Sequence, residues 1–296
     1  MINYSFIIPH KNNPELLQRC VSSIPRREDV EIIVVDDNSD IKGWKNFEFT
    51  NPHNVRLIKT YENKGGGYCR NVGITEATGR WLVFSDCDDF MSENFLHVLD
   101  RYKDEDIDVL FYNFNYVNSE TLETTVNNYI SNIQNIMQIP QPSKYEEDYI
   151  RYKIHTVWSK MVSRELVLKY NIKFEEIRNG NDILFSFAVG YFANNVKFIS
   201  DKLYNYTYSP NTISRGKGFT SRYLYNVENS IKRNYFYEFI GHPEWKGNVL
   251  RKLLAPLKLE GFKAFLLTIN AFVSNYKSIM SRKNYYVEYI KQRQTI

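Results

Sequence analysis

Cysteine is scarce in this 296-residue chain: the three present, Cys20, Cys69 and Cys87, are far apart, odd in number and outside any paired ligand spacing. They exclude a disulfide framework and a zinc site, and a reducing cytosol is the expected setting. Excess charge is equally sparse. The formal net charge is +4, with Lys and Arg spread along the chain rather than gathered into arms, which excludes nucleic acid as the expected partner. No apolar run reaches membrane-spanning length. The amino terminus passes from Met1-Ile2-Asn3-Tyr4 directly into Phe6-Ile7-Ile8, without the basic region, long apolar region and cleavage site of a signal peptide. A cytoplasmic protein is therefore expected. Internal repeats and low-complexity linkers are missing too.

What is present is an ordinary globular composition, 43% hydrophobic and 24% charged, long enough for one large domain or a domain with a smaller appendage. The 23 Tyr and 19 Phe fill a core or present amphipathic rings to sugars or an interface.

The first 110 or so residues alternate strand and helix signals. Phe6-Ile7-Ile8 reads as a strand ended by Pro9, and Pro14 opens a helix with Leu16, Leu17, Cys20, Val21 and Ile24 at helical spacing. Glu31 to Val35 is apolar on both faces, as in a covered parallel sheet. Val55 to Lys59, Trp81 to Phe84 and Asp108 to Phe111 complete the strand series, with a short helix through Cys69, Val72 and Ala77 closed by Gly79. This βα series predicts an α/β fold with an open, mostly parallel sheet whose ligand lies beyond the carboxyl ends of the strands. Residues 118 to 150 are polar and read as a hairpin or irregular insertion. Helical periodicity returns around Phe174 to Phe187, Val196 to Ile199 reads as an edge strand, and residues 220 to 296 read as a helical appendage packed on the rest.

Two acidic clusters end strands. In Ser85-Asp86-Cys87-Asp88-Asp89, Asp86 and Asp88 share one side if extended geometry persists. Such a pair suits a hard divalent cation completed by water and phosphate oxygens, which would neutralise charge on a departing diphosphate. The alternative is a solvated turn capping a helix near Ser92. The second cluster, Asp36-Asp37-Asn38-Ser39, can accept a base N–H or a ribose hydroxyl, or be a plain strand-to-turn signal.

Lys64-Gly65-Gly66-Gly67 precedes a helix carrying Arg70, suited to phosphate or acidic-residue contacts, with a flexible turn as the alternative. It is neither a Walker loop nor the dinucleotide fingerprint. Asp182, just ahead of Ile183-Leu184-Phe185, is a helix cap or, beneath an acceptor hydroxyl, a general base. Trp158 is a core residue or a sugar-stacking platform on an expected helix, and His10, His53 and His155 read as structural or surface residues.

Four ordered motifs, Phe6-Ile7-Ile8-Pro9, Val34-Val35-Asp36-Asp37-Asn38-Ser39, Asn63-Lys64-Gly65-Gly66-Gly67 with Arg70-Asn71-Val72-Gly73, and Phe84-Ser85-Asp86-Cys87-Asp88-Asp89, resemble those of family 2 glycosyltransferases with the GT-A fold. The match covers roughly residues 3 to 115. The region around Trp158, Lys160, Phe174 and Asp182, and Tyr204-Asn205-Tyr206 followed by Ser209 and Ile213-Ser214, resemble bacterial capsule and O-antigen members. The resemblance implies a GT-A catalytic domain over residues 1–215, with a nucleotide-binding half (1–115) and an acceptor-side half (116–215), then a helical region over 216–296. It implies an inverting transfer from a UDP-sugar with Mg²⁺ or Mn²⁺ to a glycan or lipid-linked oligosaccharide. Pro9, Asp37, Arg70, Asp86, Asp88 and Arg215 would then meet the donor, Asp86 and Asp88 the metal, and Asp182 would be the base, with the segment ending at Ser214 and Arg215 as a lid. Lys11 stands where an aromatic residue is usual, and Asn181 where Glu is common. The Gln-x-x-Arg-Trp signature of processive relatives is absent, which points to single-sugar addition.

Two rivals are a sugar-phosphate nucleotidyltransferase, which should carry a glycine-rich loop where Pro9-His10-Lys11-Asn12-Asn13 stands, and a non-catalytic glycan-binding protein on the same fold. Near the carboxyl end, Lys and Arg at 251, 252, 258 and 263 alternate with leucines and phenylalanines. This pattern fits contact with an anionic bilayer, at the inner face of the cell membrane, or core or dimer packing in a homo-oligomer.

Overall fold

Strand β2 (Val30–Asp37) is buried along its whole length, since it lies between β1 and β3 with the side chains on both of its faces covered. Each of its Val and Ile side chains contributes about 1.5–3 kcal/mol of burial. We describe a computed structural model of residues 1–296, excepting 41–43, 45–46, 126–127, 209–219 and 296, and excepting also the side chains of 128–130, 132 and 220–222. The chain forms two compact units, Met1–Ser209 and Pro210–Ile296.

In the first unit β1 (Tyr4–His10), α1 (Pro14–Ser22), β2, β3 (Val55–Thr60), α2 (Gly66–Glu76), β4 (Trp81–Phe84) and β5 (Phe90–Met91) follow in order. Helix α3 (Phe95–Leu99), β6 (Val109–Asn118), α4 (Asn128–Ile136), α5 (Lys144–Lys153), β7 (Lys160–Ser163), α6 (Arg164–Lys169), α7 (Asp182–Phe192) and β8 (Val196–Tyr208) complete it. The eight strands lie in the order β3-β2-β1-β4-β7-β6-β8-β5. Strands β3, β2, β1 and β4 are parallel. Strand β7 runs antiparallel between β4 and β6, and β8 lies parallel to β6. The parallel series places the ends of β1, β2 and β4 along one edge, where a ligand crevice forms in open α/β sheets.

Several local expectations change. Strand β1 does not end at Pro9 but continues to His10, with Pro9 in register with Val35. Ile7 receives a bond from the Ser85 N–H on the β4 side. By the two-residue period Pro9 turns its missing donor to that same side, beyond the last residue of β4, so no ladder bond is lost. Among the described residues of 118–150 there is no long hairpin: a single bridge joins Val117 to Thr124, and α4 and α5 follow. Ser143 and Glu146 close a reciprocal capping box at the start of α5. The helix expected over Phe174 to Phe187 begins only at Asp182, after Gly180 at φ 73°. Strand β8 is not an edge strand of four residues: it runs from Val196 to Tyr208, and β5 pairs with its Tyr204 and Asn205. Trp158 lies in a 3₁₀ turn, Val157–Ser159, rather than a helix. It is buried and stacked at 4.7 Å on Tyr204 and 5.1 Å on Tyr206, which makes it a core residue.

The second unit comprises α8 (Thr220–Phe239), α9 (Val249–Glu260), α10 (Phe262–Ser281) and α11 (Tyr285–Arg293). Val227, Ile231 and Ile279 form its core, with Val249, Leu253 and Phe272 packed against them. No helix of the described residues is long and apolar enough to cross a membrane.

Candidate active site

The strand ends bring the two acidic clusters to one edge, and local chemistry aims their side chains. Asp36 is a structural member. Its carboxylate accepts from His10 Nδ1 (2.8 Å), the Ser39 N–H and hydroxyl, and Trp44 Nε1 (2.9 Å). Burial would raise its pKa, but these hydrogen bonds, led by that from His10, outweigh it and hold the group at about 2. His10 Nε2 accepts the Asn13 N–H, which fixes a neutral ring with its proton on Nδ1. Asp37 is different. One carboxylate oxygen accepts the Gly65 N–H at 2.9 Å, while Oδ1 is buried with no partner among the described residues. A buried acceptor left unpaired is costly unless a ligand donor fills it.

The glycines divide their tasks. Gly65 sits at φ 90°, in the left-handed region that favours glycine. At Gly67 a Cβ would run into the Glu175 carbonyl and lie 3.0 Å from the Asn181 side chain. This close approach sets α2 against the 174–181 segment. Gly67→Ala should lower stability by about 1–3 kcal/mol, since backbone cannot yield as a flexible side chain does; a melting temperature equal to that of the parent would refute the tight fit.

Arg70, buried on α2, gathers the site. Its guanidinium donates to Asp86 Oδ1 (2.5 Å) and Asn181 Oδ1 (2.8 Å) and lies over the Phe174 ring. The residue where Glu is common thus accepts from Arg70, holding the start of α7 beside the acidic turn. Pro9 lies close by: a Cβ at Gly66 would come 3.9 Å from its own Cβ. Lys11, at the rim, donates to the carbonyls of Asp37 and Asn38 and to Asn63 Oδ1, linking the loops after β2 and β3.

The acidic turn is clamped through its backbone. The Asp88 carbonyl accepts from Arg19 (2.5 Å) and Thr207 Oγ1 (2.8 Å). Asp89 is a buried anchor, accepting from the Tyr204 hydroxyl (2.7 Å) and the Thr207 N–H (2.6 Å). The same Tyr204 hydroxyl accepts the Asp86 N–H at 3.0 Å. What remains for a ligand is Asp86 Oδ2 and the Asp88 carboxylate, which takes a hydrogen bond from its own backbone but pairs with no other described residue. Ligand oxygens of Asp86, Asp88 and Asp89 all fall within 4.8 Å of one another. Burial first, then the charge of Asp86, push the Asp88 pKa up to about 6. Two converging carboxylates fit a hard divalent cation. Cysteine is not part of this group: burial pushes the Cys20 and Cys69 thiols up to about 12 and Cys87 well above its ordinary value, so each is a protonated thiol in the metal-free chain.

Asp182 is the first residue of α7; its neighbour Asn181 occupies the cap position. Burial raises its pKa, opposed by the charge of Arg70 and reinforced by that of Asp86. Behind it Lys160 is fully buried, donating to the Ile154 carbonyl and Ser186 Oγ, each at 3.2 Å. Burial lowers its pKa to about 7, with Asp182 pulling the other way. Between that value and the ordinary 10.5 the unfolded chain holds the proton that the folded chain has lost, so stability should rise as pH rises through this window. Melting temperatures across pH should lose this rise in Lys160→Met. An identical slope in both proteins would contradict the burial of a neutral amine.

The sequence reading put the two acidic clusters at strand ends, and the resemblance added Pro9, Arg70 and Asp182; in the structure Arg70 joins Asp86 to the residue before Asp182, and Pro9 and Asp37 lie beside the glycine loop. Arg215, with Ser214, lies outside the described residues. The anchoring of the turn by Asp89, Tyr204, Thr207 and Arg19 was missed. Its one sequence signal was a third acid beside the Asp-x-Asp pair.

Residues 5–169, more than half of the chain, match the sequence profile of Glycosyl transferase family 2. The chain belongs to this family. This member is similar to the glycosyltransferase EpsJ of Bacillus subtilis, 27% identical over 220 residues, covering 71% of this chain and 62% of EpsJ. It is also similar to the poly(ribitol-phosphate) beta-N-acetylglucosaminyltransferase TarS of Staphylococcus aureus, 27% identical over 234 residues, covering 76% of this chain and 38% of TarS. It thus spans about three fifths of the length of EpsJ and less of TarS. Among solved structures, TarS 1–349 in complex with UDP-GlcNAc aligns with a TM-score of 0.67 at 21% identity, covering 99% of this chain and 88% of that one. A mannosyltransferase from Pyrobaculum calidifontis, in complex with GDP-Man and Mn²⁺, aligns at 0.55 and 14% identity, covering 99% and 86%. The family 2 chain has the GT-A fold.

Proposed function

We propose that this family 2 protein transfers a single sugar, with inversion, from a UDP-sugar to a hydroxyl of a glycan, a lipid-linked intermediate of bacterial surface polysaccharide synthesis. The observation that carries the reading is Arg70, which bridges Asp86 and the residue preceding Asp182, so that a diphosphate site and a base share one edge. The relatives lend support: TarS is an N-acetylglucosaminyltransferase crystallised with UDP-GlcNAc, and the mannosyltransferase holds a nucleotide sugar with Mn²⁺.

In this reading the unpaired Asp37 Oδ1 accepts an N–H of the base, with Pro9 beside it. Asp86 and Asp88 would hold Mg²⁺ or Mn²⁺, which when bound would supply charge neutralisation for the leaving group. Arg70 adds a fixed positive charge at the same place. A lone pair on the acceptor hydroxyl oxygen forms the new bond to the anomeric carbon while the bond from that carbon to the diphosphate breaks, its electrons departing with UDP. Asp182, less acidic than a solvated carboxylate, takes the hydroxyl proton. Arg215, outside the described residues, is assigned to the diphosphate by the family resemblance alone.

A panel of nucleotide sugars with divalent metal and short glycan acceptors tests this. Mass spectrometry should show UDP release matched by one glycosyl mass on the acceptor. Pyrophosphate release from a nucleoside triphosphate would point to nucleotidyl transfer, and glycan binding without turnover of any donor to a non-catalytic protein. Either outcome sinks the proposal.

A further inference from the structure

The second unit carries an apolar surface that the transfer chemistry does not use. Nine of the fourteen large hydrophobic side chains exposed among the described residues lie between Leu250 and Tyr276, on α9 and α10. Scattered apolar residues are normal on a surface, but such concentration marks an interaction site.

The pattern is regular. Val249, Leu253 and Pro256 turn inward on α9, while Leu250, Leu254 and Leu257 recur at i, i+4 and i+7 and are 62%, 43% and 43% exposed. On α10 Phe272 and Ile279 join the unit's core, while Phe262, Leu266 and Val273 are 64%, 43% and 66% exposed. Each helix therefore has a covered stripe and an outward one. The outward stripes meet in sequence at Gly261, whose φ of 90° ends one helix and starts the next.

Charge identifies the occupant. Helices α9 and α10 carry Arg251, Lys252, Lys258, Lys263 and Lys277 against one acid, Glu260, which accepts from the Tyr223 hydroxyl. All five cations are exposed, and among the described residues none forms an ion pair. A second copy of this surface would set like charges against one another, whereas an anionic bilayer satisfies both features. Apolar side chains enter the acyl boundary while lysine stems reach back to the phosphates.

We infer that the outward faces of α9 and α10 form a docking surface for anionic phospholipid bilayers, holding the chain peripherally at the membrane. The inference does not depend on the transfer reading, since it is read out as binding alone.

The test uses the full chain in flotation with vesicles of phosphatidylcholine containing phosphatidylglycerol, and with phosphatidylcholine alone. Binding to the anionic vesicles, weakened by salt, is expected. The Lys252→Gln, Lys258→Gln, Lys263→Gln triple variant should lower partitioning about a hundredfold, at roughly one basic contact's worth of energy each. Leu257→Ser with Phe262→Ser should lower it as well, at an unchanged melting temperature because both side chains are exposed. Equal binding to neutral vesicles, or undiminished binding by the triple variant, overturns the inference. So does a concentration-dependent oligomer, abolished by the same substitutions, in a protein that ignores vesicles. Capture of the chain by an acidic polypeptide without vesicle binding would do the same.

Discussion

Replacing Asp182 by Asn should slow glycosyl transfer by about 10²–10⁴, the range that a positioned general base supplies, while leaving UDP-sugar affinity within a factor of about two. Asn keeps the shape of the first residue of α7, so packing should survive. What it removes is the charge that receives the acceptor proton. Because burial raises the Asp182 pKa, transfer by the parent should fall as pH drops through that raised value, and this limb should vanish in the variant. Single-turnover measurements with saturating donor separate the two quantities. A variant retaining more than about a tenth of the parental rate would be inconsistent with general-base duty.

Asp88→Asn should cost transfer about as much and, unusually, make the ligand-free chain more stable. The Asp88 carboxylate has no partner on another described residue, and burial with the adjacent Asp86 lifts its pKa to about 6. With a folded-state value above the ordinary 3.8, the folded chain binds more protons between the two values, so stability falls as pH rises through that window. At neutral pH the variant escapes a penalty on the order of 1–2 kcal/mol after allowance for solvent screening. Well below the ordinary 3.8 the carboxyl is neutral in both the folded and the unfolded chain, and the gain should disappear. Divalent metal affinity of the parent should weaken roughly tenfold per unit below pH 6, as protons compete for the same oxygens. A variant that is both inactive and less stable at neutral pH would show that Asp88 serves the fold instead.

This trade of stability for a ligand site is where sequence and structure agree best. The apolar runs Ile32-Ile33-Val34-Val35 and Trp81-Leu82-Val83-Phe84 announce buried parallel strands because both faces are covered, and the acids that follow must then lie at one sheet edge. Local patterning carries that much. It does not carry partners far apart in the chain. Arg70 meets Asn181, Asp89 meets Tyr204, and Asp108 receives the Asn194 N–H only in the folded sheet, where β7 enters antiparallel between β4 and β6 and β8 pairs with β5 and β6. Four residues, Lys160–Ser163, make that strand, too few for a period to show. Lys160 itself reads as a surface residue by type; its burial follows from being enclosed beneath α7. Pro9 misleads for a related reason, since its neighbour strand stops short and leaves the missing donor unneeded. Trp158 has either meaning until Tyr204 and Tyr206, on a strand still to come, are laid against it.

Anomalous diffraction from crystals grown with UDP and Mn²⁺ tests the central claim most directly. The account predicts one strong manganese peak in contact with carboxylate oxygens of Asp86 and Asp88 and with the diphosphate. A diphosphate bound away from that turn, with no manganese between it and the two acids, would contradict it.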